Sequence, residues 1–128
     1  MPDFTHADIT GAIIDAFYTL YRTHRRGYRE REFAHALALE LRRRGHHVRA
    51  EYPVYRRYQG RTVGTGKVDL VVDGLVAVEV KNVQHLTRKH ERQLRAYLAD
   101  GGWPVGLLLN YGASPPQIRR LEKRDYDW

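Results

Sequence analysis

The stretch KVDLVVDGLVAVEVKN, residues 67–82, constrains the fold more than any other part of this chain. Two valine-rich apolar runs flank Asp73-Gly74, and this pattern predicts a β-hairpin with a buried face. The two runs also contain three charged residues, Asp69, Glu79 and Lys81. A buried charge is costly unless it is paired or bound. These side chains therefore either lie on a solvated face by simple alternation or are held together as a site.

The length of the turn decides whether Asp69 joins the other two charges. Glu79 and Lys81 are two residues apart and therefore share one face of a strand. A two-residue turn would put Asp69 on the other face from Glu79. A three-residue loop over 72–74, with Gly74 left-handed, places Asp69 diagonal to Glu79 on the same face. We therefore expect an odd-length loop, or an equivalent bulge, if the three residues form a site.

Two neighbouring carboxylates suggest a metal. They repel, and each raises the pKa of the other unless a cation lies between them. Oxygen ligands suit Mg²⁺ or Mn²⁺. A lysine beside such a site can hold or help to deprotonate a water, while the metal polarises a phosphoryl oxygen. The alternative is a carboxylate–lysine salt bridge on a solvated sheet face, and so short a pattern does not by itself distinguish the two.

The rest of the chain predicts helices packed on a mixed sheet, in the order α-α-β-β-β-α-β. Apolar residues at helical spacing predict three helices, over residues 5–24, 28–44 and 87–100. Strand patterns occupy residues 47–58, the two halves of the hairpin and the apolar run 105–110. Pro53 indicates a sheet edge or a bulge. Residues 118–124 fit either a last strand or a last helix.

Length and composition indicate an ordinary globular protein. A chain of 128 residues with 42% apolar and 29% charged residues can bury one core, and we expect residues 1–128 to form a single domain. No apolar run has the length of a membrane span or of a secretion signal. We therefore expect a cytoplasmic protein without a membrane partner. The absence of cysteine excludes disulfides, thiolate zinc sites and iron–sulfur clusters.

An excess of arginine indicates a partner that carries phosphate. The chain has 22 Lys and Arg against 15 Asp and Glu, and between residues 42 and 61 seven arginines accompany one acid, Glu51. Tyrosines alternate with these arginines, as they do on nucleic-acid surfaces. The alternative is a solvated edge strand in which arginine discourages aggregation. The residues expected to bind nucleic acid, two of them on the third helix, are Arg49, Arg56, Arg57, Arg61, Arg88 and Arg92.

Two helices carry further candidate residues. Glu30 lies on the apolar face of the second helix at its first turn, where a carboxylate needs a partner. Gln93 and Tyr97 share a face of the third helix, although a buried tyrosine with a hydrogen-bonding neighbour would also explain them. Ser114 has no acid–base pair near it in the sequence, and the histidines lack zinc-like spacing. Serine-hydrolase and zinc sites are therefore not expected.

Asp69 is followed by Glu79-Val80-Lys81 on the next strand, and then by Gln93-Leu94-Arg95-Ala96-Tyr97 on the next helix. This series resembles the PD-(D/E)XK nuclease superfamily, in its RecB-like branch. Residues 27–33, GYREREF, are similar to the GxxExxY family of that superfamily, with Phe33 where tyrosine is usual. Val68 stands where the superfamily pattern has a proline. The resemblance runs from about residue 9 to residue 121.

The resemblance implies a restriction-endonuclease-like core, an α/β fold with a mixed central sheet flanked by helices, and metal-dependent hydrolysis of phosphodiester bonds. It implies that Asp69 and Glu79 bind Mg²⁺ or Mn²⁺ together with the backbone carbonyl of Val80. Lys81 would orient the attacking water. The expected substrate is nucleic acid, with DNA ahead of RNA.

The same resemblance implies that Glu30 completes the metal or water shell, and that Gln93 and Tyr97 position the nucleic-acid strand. Two other interpretations are open at this stage. One is a catalytically inactive module that binds nucleic acid on the same fold. The other is a nuclease that acts as a homodimer and cuts branched DNA at junctions.

Overall fold

The computed structural model describes residues 5–123, which form three helices and five strands. In chain order they are α1 Ala7–His24, α2 Glu30–Arg43, β1 Val48–Tyr58, β2 Arg61–Val72, β3 Val76–Lys81, α3 Arg88–Gly101, β4 Val105–Asn110 and β5 Gln117–Glu122. The predicted order is confirmed, and the segment left open between strand and helix forms the strand β5. None of the three helices in residues 5–123 combines the length and the hydropathy of a membrane span.

The five strands form one mixed sheet in the sequential order β1 to β5. β3 and β4 are parallel, with α3 as the connection between them, and the other neighbouring strands are antiparallel. Because β1 lies at an edge, Pro53 disturbs no central ladder. Every residue of β4 is buried, including Asn110, the polar residue at the end of an otherwise apolar strand.

Helices cover both faces of the sheet. α1 and α2 pack on one face, where Phe17 and Phe33 belong to the same buried cluster as the valines of β3, while Leu94 and Leu98 of α3 pack on the other. Side chains alternate along β3, so that its valines face α1 and α2 and Ala77 faces α3. Glu79 has the same parity as Ala77, and its side chain therefore lies on the α3 side.

The turn between β2 and β3 has the odd length that the site requires, but in another register. Val72 pairs with Val76, so the loop spans residues 73–75, one position later than predicted. Continuing this register brings Asp69 directly opposite Glu79 instead of diagonal to it. The two carboxylates are therefore closer than the sequence pattern indicates.

Local backbone chemistry explains the register of this turn. Asp73 and Gly74 have φ angles of 53° and 68°, and the Leu75 N–H donates to the Val72 carbonyl oxygen. This is the arrangement of a type I′ turn, for which Asp-Gly is a preferred pair. The Asp73 carboxylate also accepts the backbone N–H of His47. Leu75 is then the additional residue that makes the loop odd, and the left-handed Gly74 is confirmed.

Candidate active site

Strands β2 and β3 separate beyond the Leu70–Val78 pair, and two carboxylates replace the hydrogen bonds of the ladder. The backbone N–H of Asp69 donates to Glu79 Oε1 over 3.1 Å, and the N–H of Val80 donates to Asp69 Oδ2 over 2.8 Å. Each side chain is thus held by the opposite strand. We call Asp69 and Glu79 the carboxylate pair.

Burial and repulsion disfavour the charged form of the carboxylate pair. Glu79 is only 5% exposed. Desolvation and the negative charge of Asp69 raise the pKa of Glu79 to about 8. Desolvation also raises the pKa of Asp69. Lys81, whose Nζ lies 3.8 Å from Glu79 Oε2, opposes both shifts without cancelling them. At neutral pH Glu79 of the folded, metal-free protein therefore retains a proton.

A divalent cation could take the place of this proton, since carboxylate oxygens are the ligands that Mg²⁺ and Mn²⁺ prefer. The Val80 carbonyl points to the same side of β3 as the N–H that donates to Asp69, so it is available as a third oxygen ligand. Among residues 5–123, no three His, Cys, Asp or Glu side chains cluster closely enough to hold a metal. A bound ion would therefore need this backbone oxygen and water besides the carboxylate pair.

Glu30 lies beside the carboxylate pair. It is the first residue of α2, and its Oε2 accepts the backbone N–H of Asn82 over 2.9 Å. Its negative charge contributes to the raised pKa of both Asp69 and Glu79. Glu30 therefore links α2 to the backbone that follows Lys81, at the end of the sheet where the carboxylate pair lies.

Tyr97 of α3 reaches the site, whereas Gln93, one turn earlier, is exposed. The Tyr97 ring packs against Gly66 of β2. A Cβ at residue 66 would lie 2.8 Å from the Tyr97 phenol oxygen, so the ring can take this position only because residue 66 has no side chain. The backbone N–H of Lys67 hydrogen-bonds this hydroxyl. Burial, and then the charge of Glu79, raises the pKa of Tyr97. Of the two α3 candidates, the structure brings only Tyr97 close to the carboxylate pair.

Polar residues that the sequence pattern does not single out fix the loop after β3. Asn110 is fully buried and lies opposite Lys81 in the β3–β4 ladder. Its Oδ1 accepts the N–H groups of Val83 and Gly112, and its Nδ2 donates to the Val83 carbonyl and to Gln117 Oε1. In the sequence, the sign of this role is an asparagine at the end of an otherwise apolar strand.

A phenol lies near Glu30 even though residue 33 is phenylalanine. The Tyr111 ring stacks on Phe33, with ring centres 4.3 Å apart and planes within 6°. Its hydroxyl donates to the Tyr28 carbonyl oxygen. Burial, together with the charge of Glu30, raises the pKa of Tyr111 to about 12. Tyr111 thus joins the start of α2 to the end of β4.

Glu51 is a further acid near the site, and in the sequence it is visible only as an isolated acid among arginines. The ladder pairs on either side of it place Glu51 opposite Asp69. Its φ is 51°, which is uncommon for a residue with a side chain. Its negative charge contributes to the raised pKa of Asp69. Strand propensity gives no sign of this conformation.

The arginines expected to bind nucleic acid are spread over several surfaces. β1 and β2 extend beyond the rest of the sheet as an arm, residues 53–66, which carries the exposed Arg57 and Arg61. Arg61 precedes Asp69 by eight residues, roughly 26 Å along a strand. Arg56 also lies on the arm, but its Nε is 3.3 Å from Asp100 Oδ2 of α3, so part of its charge is neutralised.

The other three arginines lie away from the arm. Arg49 is near the start of β1, with its guanidinium 5.9 Å from the centre of the Tyr52 ring. Arg88 and Arg92 are exposed on α3. Glu91, between them, pairs with a β5 arginine, which indicates that this flank of α3 faces β5. The structure therefore does not place them on the side where Tyr97 meets β2.

Comparison with known proteins identifies a family and a similar fold. The family model described as the PD-(D/E)XK nuclease superfamily matches residues 7–121, which include the carboxylate pair and Lys81. No curated protein matches the sequence. A solved structure titled "Crystal structure of SSO0001" is similar with a TM-score of 0.50 and 16% identity over 87% of this chain. This chain spans 65% of the length of that one. The likeness is one of fold, an α/β restriction-endonuclease-like core.

Proposed function

Because the chain belongs to the PD-(D/E)XK nuclease superfamily, we propose that it is a metal-dependent nuclease that hydrolyses phosphodiester bonds in DNA. The observation that carries this proposal is the carboxylate pair. Asp69 and Glu79 are held against each other where two strands separate, and both have a raised pKa. A carboxylate in a structural salt bridge would have a lowered pKa instead. The pair is therefore better suited to binding a cation than to stabilising the sheet.

The proposal extends to the RecB-like branch and, within it, to a relation with the GxxExxY family. Support comes from the start of α2, where Gly27 has a φ of 82° and Glu30 reaches the end of β3. Further support comes from Tyr97, which lies across β2. Phe33 departs from the family pattern, and the phenol next to it belongs to Tyr111.

In this proposal Asp69, Glu79 and the Val80 carbonyl would hold Mg²⁺ or Mn²⁺, which when bound would polarise a phosphoryl oxygen and make water more acidic. Lys81 lies next to Glu79 and is only 18% exposed at its side chain. It donates a hydrogen bond to the attacking water, whose oxygen forms the new bond to phosphorus. Its charge stabilises the phosphate as the bond to the 3′ oxygen breaks and that oxygen leaves as a hydroxyl, with a proton from water.

The surrounding residues position these groups. Glu30 belongs to the outer metal or water shell and keeps the backbone after Lys81 in place through Asn82. Tyr97 contacts the nucleic-acid strand, and the exposed Gln93 extends the same face of α3 toward it.

The test is incubation of labelled single-stranded, duplex and branched DNA, and of RNA, with Mg²⁺, Mn²⁺ or a chelator. We expect cleavage that requires the cation and leaves a 5′-phosphate. Asp69→Asn and Glu79→Gln should lose both metal binding and activity. Lys81→Ala should keep metal binding and lose about 100-fold or more in rate. Glu122→Gln is the control, because this exposed β5 carboxylate lies at the opposite end of the sheet.

Three outcomes separate the interpretations. Cleavage that survives both the chelator and Asp69→Asn would contradict the proposed site. Tight binding without cleavage under any metal would identify the inactive binding module. Preferential cutting of branched DNA by a dimer would identify a junction-resolving nuclease.

A further inference from the structure

Two cations converge on Glu51 in the cleft next to the carboxylate pair. Arg31 Nη2 lies 3.5 Å, and Lys67 Nζ 3.7 Å, from the same oxygen, Glu51 Oε1. Arg31 is the second residue of α2, and Lys67 precedes Asp69 by two residues on β2. Both line the cleft between α2 and the β1–β2 edge, together with Glu30 and Asp69.

The backbone of β1 is shaped to bring Glu51 into this cleft. The consecutive residues Ala50 and Glu51 both line it, whereas strict alternation would send one of them to the α3 side. The positive φ of Glu51 accounts for this departure, as a bulge does when it re-aims a side chain.

These ion pairs contribute little to stability. The side chains of Arg31, Lys67 and Glu51 are 84%, 66% and 48% exposed. Exposed pairs at these distances are screened by water and salt. Their arrangement is therefore better explained by an anion that they bind than by the fold that they support.

The cleft also needs positive charge if nucleic acid is to enter. The negative charge that remains on the carboxylate pair, together with that of Glu30, repels a phosphate. Both cations are attached to backbone that already belongs to the site: Arg31 follows Glu30, and the N–H of Lys67 hydrogen-bonds the Tyr97 hydroxyl. An arginine fork and an ammonium that meet at one point are suited to the several oxygens of a phosphate.

We propose that Arg31 and Lys67 bind a backbone phosphate of the strand to be cut, next to the carboxylate pair, and that Glu51 occupies the position of this phosphate when no nucleic acid is bound. The proposal rests on the proposed nuclease function and names a substrate contact for it. Glu51 then competes with the substrate for both cations.

The first test measures binding alone. The affinity for a labelled DNA duplex is followed by fluorescence anisotropy in a chelator, at several salt concentrations. Arg31→Ala and Lys67→Ala should each weaken binding about fivefold to tenfold at moderate salt, and should reduce the log–log salt slope by about one. Glu51→Gln should tighten binding, because it removes a competing negative charge.

Matched controls come from the far end of the molecule. Arg43 lies on the last turn of α2, and Lys123 directly follows β5. The variants Arg43→Ala and Lys123→Ala therefore each remove one exposed cation at the end of the sheet opposite the carboxylate pair. They should change the affinity less than about twofold, the residual long-range effect of one screened charge. The proposal would be overturned if Arg31→Ala or Lys67→Ala behaved like these controls. It would also be overturned if Glu51→Gln bound DNA more weakly than the wild type.

A second test identifies the phosphate itself. A single neutral methylphosphonate is moved along the strand, and wild-type binding should weaken at one position more than at its neighbours. This local loss should disappear in the Arg31→Ala, Lys67→Ala double variant. An unchanged loss in that variant would overturn the phosphate contact.

The two proposals fail in different ways. A wild type that binds as described but cuts nothing with any metal would overturn the nuclease function and support the phosphate site. A wild type that cuts DNA while the two variants bind like their controls would overturn the phosphate site alone.

Discussion

At the carboxylate pair, each side chain accepts a backbone N–H that the separating strands would otherwise leave unpaired. These bonds satisfy two donors in a partly buried place, where unpaired donors are costly. They also hold two carboxyl groups close together, although Lys81 only partly compensates their charge. The same contacts that close the sheet therefore create the need for a cation.

The stability of the metal-free protein should fall as the pH rises from about 4.5 to about 8 on account of Glu79. In this range the folded protein retains a proton that the unfolded chain has released, so that raising the pH favours unfolding. Glu79→Gln should remove this decline and raise the free energy of unfolding at pH 8 by roughly 2–4 kcal/mol. Chemical denaturation in a chelator at several pH values measures this effect.

Glu122→Gln again serves as the control and should keep the wild-type pH profile. Addition of Mg²⁺ at pH 8 should stabilise the wild type and leave Glu79→Gln nearly unchanged, because the variant lacks one ligand. A wild-type profile that coincides with that of Glu79→Gln would contradict the raised pKa.

At the scale of elements, the loop that joins β3 to α3 is held by packing as well as by Asn110. A Cβ at Gly112 would lie 2.5 Å from the backbone nitrogen of Val83, so alanine there must displace this loop. Gly112→Ala should destabilise the protein by about 1–3 kcal/mol. It should also lower the rate of cleavage, because the loop follows Lys81.

The same substitution elsewhere should have the opposite effect. Gly11 lies within α1, and a Cβ there meets nothing within 4 Å. Gly11→Ala should therefore stabilise the protein by about 0.5–1 kcal/mol through helix propensity alone. Thermal denaturation of both variants provides the measurement. Equal effects of the two substitutions on stability would show that the position of the loop between β3 and α3 does not require a glycine at residue 112.

Elements with a clear period could be predicted from the sequence. Helical spacing predicted the three helices, and the apolar run predicted β4. The spacing of apolar residues did not identify β5 as a strand, because Ile118 and Leu121 are three residues apart and fit a helix as well as a strand. Asp73-Gly74 predicted a turn, but the pair is compatible with loops of two or three residues, and the extra residue Leu75 set the register.

The rest of the candidate site depends on tertiary geometry. The left-handed Glu51 has no local sequence signal, since its conformation depends on the strands around it. The sequence gives the number of arginines, but their positions in space depend on the fold. Arg56 pairs with α3, and Arg92 lies on the flank of α3 near β5. Charge counting predicts that a partner is anionic, but not which arginines contact it.

At the scale of the whole molecule, the net charge of +7 favours binding to a polyanion. In the proposed function, the arm is a second contact for nucleic acid, away from the carboxylate pair. Tyr55 and Tyr58 on the arm are 48% and 65% exposed. Along β2, Arg61 lies roughly 26 Å from Asp69, a length that corresponds to about eight base steps of duplex. The arm therefore suits substrate on one side of the cut.

The double variant Arg57→Ala, Arg61→Ala should weaken binding to a duplex long enough to reach the arm, and should reduce the salt slope by about two. Binding to a duplex too short to span the distance should change little. Anisotropy with the two lengths measures this difference. Equal losses for both lengths, or an unchanged slope, would show that the arm is only a solvated edge.

Parallel titration of Mn²⁺ binding and DNA cleavage tests the central claim most directly. Bound Mn²⁺ is measured by electron paramagnetic resonance, and product is quantified in the same samples, for the wild type, Asp69→Asn and Glu79→Gln. We predict that binding and cleavage saturate together in the wild type and are lost together in both variants. Cleavage before Mn²⁺ binds, or undiminished Mn²⁺ binding by Asp69→Asn and Glu79→Gln, would contradict a metal-dependent site built on the carboxylate pair.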